Sequence, residues 1–134
     1  MTVDQINSMA ADFFPGFLGI KAVGIKDNTV VGEMRVNRNH LAPNRYLHAG
    51  CVVTFADSLA GFSTQINLPE KAISFTTIEL KSNFVRTIKE GIIQGHCEAE
   101  HLGKKTQIWR VTVSAKETGK KMAIFSCTQM ILYP

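Results

Sequence analysis

The segment from Ala49 to Thr64 is rich in apolar residues around the whole circumference of a helix, and Asp57 stands inside it among Val53, Phe55, Ala56, Leu59 and Ala60. Burying a carboxylate forfeits several kcal/mol of hydration unless a partner replaces it. No lysine or arginine lies at i±3 or i±4; those places hold Val53, Thr54, Ala60 and Gly61. Either Asp57 lies on an exposed stripe or is held by a distant arginine, or it is a functional carboxylate at a buried interface or cleft.

His48 opens the same helix and is followed by Ala49 and Gly50. Unsatisfied N–H groups at a helix start, with the helix dipole behind them, can polarise a carbonyl or hold an oxyanion. Small residues at 49 and 50 let a substrate approach that backbone closely. The alternative for His48 is a simple cap or surface residue. Nine residues separate His48 from Asp57, which on one helix is about 13 Å and half a turn. Two groups so placed cannot touch one reacting carbonyl from the same chain. If both act at one site, the second comes from a neighbouring subunit, and a two-fold pair of antiparallel helices makes two equivalent sites.

The rest of the sequence must position that helix. The 134 residues fit one domain, 1–134, with no repeat, linker or low-complexity tract. Residues 3–14 carry spaced apolar positions and read as a short amphipathic helix, ended by Pro15 and Gly16. Runs from Leu18 to Ile25 and Thr29 to Val36, joined by Lys26-Asp27-Asn28, read as a hairpin. In the second run Val30, Gly32, Met34 and Val36 alternate with Val31, Glu33 and Arg35, giving a dry face and a wet one. Residues 37–48 form a polar loop. After the helix come strand-like runs near Ala72–Phe84, Gly91–His101, Gln107–Lys116 and Met122–Leu132, with turn residues between them. Six antiparallel strands and one buried helix satisfy each other if a curved sheet wraps the helix, an α+β arrangement.

Composition narrows the function classes. Cys51, Cys97 and Cys127 are odd in number and lack paired spacing, which argues against a disulfide framework or a zinc site and for a reducing cytoplasm. The N-terminal residues do not read as a signal peptide, and no apolar run is long enough to span a membrane. The net charge of +4 is spread rather than striped, which points away from nucleic acid and towards a small anionic ligand.

The stretch LAPNRYLHAGCVVTFADSLAG resembles the helix-start motif of hotdog-fold thioesterases, particularly the phenylacetate-pathway (PaaI-like) branch. In that motif an Asn or Gln and a glycine precede HGG, and Asp or Glu follows nine residues after the histidine. The later stretches TTIELKSNFVRTIKEG and HLGKKTQIW resemble the same superfamily's strands. The resemblance implies a hotdog fold and hydrolysis of an acyl-CoA thioester, with Asp57 attacking the carbonyl or activating water. It gives the carbonyl-polarising role to the N–H groups of Ala49 and Gly50 beside His48, and a water-orienting hydroxyl to Thr77. Arg86, Lys104 and Lys105 become candidates to hold the phosphates of coenzyme A, against an ordinary role as solvated charge. It implies an oligomer, at least a dimer and often a tetramer, with no metal and no cofactor beyond the coenzyme A of the substrate.

Two departures stand out. The family's amide residue falls six positions before the histidine, where this chain has Ala42; Asn44, four before, is its replacement or a turn residue. Arg45 replaces the glycine, and HAG replaces HGG, though Ala49 keeps its N–H. The competing functions are a non-catalytic acyl-CoA-binding or regulatory module and an acyl-thioester hydratase or dehydratase. The HAG-to-Asp57 arrangement fits the last poorly.

Overall fold

The computed structural model describes all 134 residues, Met1–Pro134. Helix α1 (Val3–Ala10) and the short α2 (Phe14–Leu18) precede strands β1 (Lys21–Lys26) and β2 (Thr29–Val36). Helix α3 (Ala49–Ile66) follows, then β3 (Ser74–Phe84), β4 (Gly91–Leu102), β5 (Thr106–Ala115) and β6 (Lys121–Leu132). The strands form one antiparallel sheet in the order β1-β2-β4-β5-β6-β3, so α3 carries the chain from one side of the sheet to the opposite edge. This is the hotdog arrangement expected from the motif.

The N-terminal reading needs correction. Helix α1 opens on a Thr2–Gln5 capping box and ends at Ala10. Pro15 and Gly16 lie inside α2 instead of ending the first helix. Pro15 sits in the first turn, where a missing N–H costs nothing. The first strand accordingly starts at Lys21, not Leu18. Both polar atoms of the Asn7 side chain bond the Ala22 backbone, at 2.9 Å each, which fastens α1 to β1. The β1–β2 hairpin is made by Asp27 and Asn28, at φ +51° and +57°, the left-handed pair of a type I′ turn.

Helix α3 buries Val52, Phe55, Ala56, Leu59, Ala60 and Phe62 against the sheet. A large apolar side chain removed from water contributes about 1.5–3 kcal/mol, so this face is a principal part of the core. Gly32 on β2 and Gly95 on β4 stand opposite each other directly beneath it. A Cβ on Gly32 would fall 2.2 Å from Leu59 Cδ2, and one on Gly95 2.5 Å from Leu59 Cδ1. The glycine pair thus makes the hollow into which Leu59 settles, and it sets how close α3 lies to the sheet.

The opposite edge is unlike the core. Along β3 and its flanks Ile73, Ile78, Leu80, Phe84 and Val85 are exposed, although they are large and apolar. No helix is long and apolar enough to cross a membrane.

Candidate active site

Asp57 projects from the middle of α3 towards the β6–β3 side of the sheet and is half-buried. Its partner is Thr77, whose Oγ1 lies 3.1 Å from Asp57 Oδ1. None of the three ion pairs involves Asp57, so the distant arginine weighed above is not there. Burial pushes its carboxyl above the ordinary aspartate range, and the Thr77 hydroxyl acts in the opposite direction.

Thr77 reaches Asp57 because of the strand register. It stands opposite Gln129 of β6, and a bulge at Ile78 shifts the pairing immediately afterwards. Thr77 Oγ1 also lies 2.9 Å from Gln129 Oε1. Gln129 is fully buried, and its other amide atom lies 3.6 Å from Cys127 Sγ. Burial and the neighbouring Asp57 carboxylate push the Cys127 thiol up to about 12. Sequence reasoning missed Gln129. The signal was there: Cys127, Gln129 and Ile131 fall on one face of a period-2 strand, and only Gln129 among them is strongly polar.

His48 is the N-cap of α3. Its Nδ1 accepts the Gly50 N–H at 2.8 Å, which leaves the ring proton on Nε2. A Cβ on Gly50 would stand 2.9 Å from that Nδ1, so glycine allows the close cap. Of the two N–H groups expected to polarise a carbonyl, the Gly50 donor is therefore engaged with His48. That of Ala49 has no partner in the chain. The ring is exposed. The loop behind it is rigidly tied: Leu47 N–H donates to Ile88 O at 2.9 Å and His48 N–H to His40 O at 3.0 Å. His40 itself is buried, accepting from Asn37 N–H and donating to Leu18 O, a structural histidine that holds this loop.

Asn44 sits in the turn before His48, where its Oδ1 accepts the Tyr46 N–H at 3.1 Å, and Arg45 follows at φ +69°. Arg86 lines a cavity of about 230 Å³ with Ile88 and Glu117, near the His48 end of α3. Lys104 and Lys105 line another of about 430 Å³ with Glu70 and Tyr133, near the C-terminal end of the helix. A strand the length of β3 separates the two ends, roughly 30 Å. Within one chain the three basic candidates are not brought together.

A sequence model of the thioesterase superfamily matches residues 44–122, which include the end of the loop before α3, the helix itself, β3, β4, β5 and the start of β6. The chain belongs to this superfamily of thioester hydrolases. It is similar to the 1,4-dihydroxy-2-naphthoyl-CoA hydrolase of Escherichia coli, at 29% identity over 113 residues, 84% of this chain and 82% of that one. The enzyme of the same name from Listeria monocytogenes is 29% identical over 111 residues, 83% of this chain and 89% of that protein. In fold the chain is similar to a thioesterase from Pseudomonas aeruginosa, with TM-score 0.93 and 24% identity over 98% of this chain and 94% of that one. The phenylacetic acid degradation protein PaaI of Thermus thermophilus shares the fold with TM-score 0.79 and 22% identity, over 89% and 98% of the two chains.

Proposed function

We propose that the protein hydrolyses an acyl-CoA thioester to the free acid and coenzyme A, with Asp57 as the reacting carboxylate. The observation that carries this reading is a half-buried Asp57 with a hydroxyl partner and no cation, on the central helix of a thioester-hydrolase fold. Desolvation leaves such a carboxylate basic and reactive. As general base it takes a proton from water while the water oxygen attacks the carbonyl carbon. As nucleophile it forms a mixed anhydride, which water then cleaves. In both cases the C–S bond breaks and the departing thiolate is protonated. Thr77 orients the carboxylate or the water.

The carbonyl oxygen is polarised by the His48 end of a second subunit, through the Ala49 N–H and the outward Nε2–H of His48. Gly50 keeps the cap tight, and Asn44 retains its amide nitrogen for the substrate side. The exposed apolar edge of β3 is the natural seam for a two-fold dimer. Antiparallel pairing there sets the Arg86 end of one chain alongside the Lys104–Lys105 end of the other, which reunites the basic residues into a rim for the phosphates of coenzyme A. Dimers pairing again would give the tetramer implied by the motif. The E. coli and Listeria relatives make an aromatic acyl group, of the dihydroxynaphthoyl type, the first to try.

The test is thiol release from short, long and aromatic acyl-CoAs, wild type beside Asp57→Asn. Release by wild type and a fall of about two or more orders of magnitude in the variant is the expected result. Equal release by both would remove Asp57 from the mechanism. Stabilisation by an acyl-CoA without thiol release would identify a binding module. Loss of an enoyl-CoA's conjugated absorbance, with the thioester intact, would identify a hydratase.

A further inference from the structure

Thr77 has one hydroxyl proton and two oxygen neighbours, Asp57 Oδ1 at 3.1 Å and Gln129 Oε1 at 2.9 Å. It can donate to one of them only. With Asp57 ionised and the amide oxygen towards Thr77, one of these contacts sets two acceptors against each other. Turning the Gln129 amide over removes the conflict, since its two ends differ only in which atom donates. The amide nitrogen then donates to Thr77, and Thr77 donates to Asp57. The amide oxygen turns to Cys127 Sγ, 3.6 Å from the amide's far end. Cys127 is buried and remains a thiol well beyond neutral pH, so it can supply that proton. Every group in the row then has a partner, which buried polar groups require.

We propose that Gln129 is a positioning residue: with its amide nitrogen facing Thr77 it commits the Thr77 hydroxyl to the Asp57 carboxylate, and the Cys127 thiol closes the far end of the row. Donors then run in one direction, from Cys127 through Gln129 and Thr77 to Asp57. The titratable groups bearing on this cluster are Cys127 on β6, Glu79 on β3 and Cys97 on β4, all acids, and no cation pairs with Asp57. The row of neutral donors is therefore what steadies the ionised carboxylate.

The inference rests on Asp57 being the reacting group, and its test is built to read the row without substrate. The Asp57 carboxyl is titrated by carbon-13 NMR in wild type, Gln129→Leu, Gln129→Met, Cys127→Ala, Thr77→Val and the double variant Thr77→Val/Gln129→Leu. The same proteins are assayed for thiol release across pH. In Gln129→Leu the Asp57 midpoint rises by about 0.5 or more in pH, and the acid limb of kcat/KM moves with it. Cys127→Ala gives a smaller rise. The double variant is no worse than Thr77→Val alone, because Gln129 acts through Thr77. Gln129→Met, closer in shape, carries the test if the leucine variant does not fold. An unchanged or lowered midpoint, or additive effects in the double variant, overturns the proposal. A raised midpoint with no change in thiol release keeps the row and removes Asp57 from catalysis.

Discussion

Midway along α3, Asp57 meets Thr77, and behind Thr77 lie Gln129 and Cys127, all within one chain. At the start of the same helix His48 is exposed, and its side chain has Gly50 as its hydrogen-bond partner. The carboxylate end is finished by folding: strand register, a bulge and a buried amide determine where it points. The histidine end has a fixed backbone but an open front. On the proposed mechanism, the contrast means that a single chain supplies two half-sites of different kinds, and a second chain completes each.

The strongest way to break this comparison is to mix two defective proteins. Asp57→Asn and His48→Ala, unfolded and refolded together in equal amounts, give half mixed dimers if pairing is random, and each mixed dimer holds one intact site. About a quarter of wild-type thiol release should return. Recovery no greater than the average of the two variants would place the site within one chain.

A middle-sized effect comes from Gly50→Ala. The added methyl crowds His48 Nδ1 at 2.9 Å and loosens the cap, at a cost of about 0.5–2 kcal/mol in a denaturant titration. Thiol release should fall several-fold while the Asp57 titration stays where it is. A shift in that titration would mean the two ends are coupled through the helix.

The smallest effect concerns stability. Burial raises the folded carboxyl of Asp57 above its unfolded value, so its contribution is fully present below the unfolded value and is lost as pH rises through the folded one. Asp57→Asn should therefore be slightly more stable than wild type at neutral pH, with the gap closing as pH falls through that window. Paired thermal melts read both. A variant less stable than wild type at neutral pH would show that the Thr77 contact outweighs desolvation.

The succession of strands along the chain, the hairpin and the extent of α3 were legible because each rests on local pattern: alternation in β2, turn residues between strands, and a long apolar run. The start of the chain was misread at Pro15, since a proline that usually stops a helix also suits the first turn of the next. Asp57 was legible as a misfit in its own segment. Gln129 was legible only as a polar residue on a buried strand face; its partner was not, because Thr77 stands opposite it from 52 residues away in the chain. The basic candidates illustrate the same limit. Charge is visible in a sequence, but which cations share a surface depends on the sheet and, on the proposed pairing, also on a second chain.

The bare apolar edge of β3 has a consequence in time. Until it is covered, such an edge accepts any extended segment that comes near, its own kind or not. On the proposed pairing, a newly made chain becomes a catalyst only by meeting another. Turnover of substrate then depends on the number of finished pairs, while their formation depends on the square of the chain concentration, so scarcity of the protein lowers activity more than in proportion.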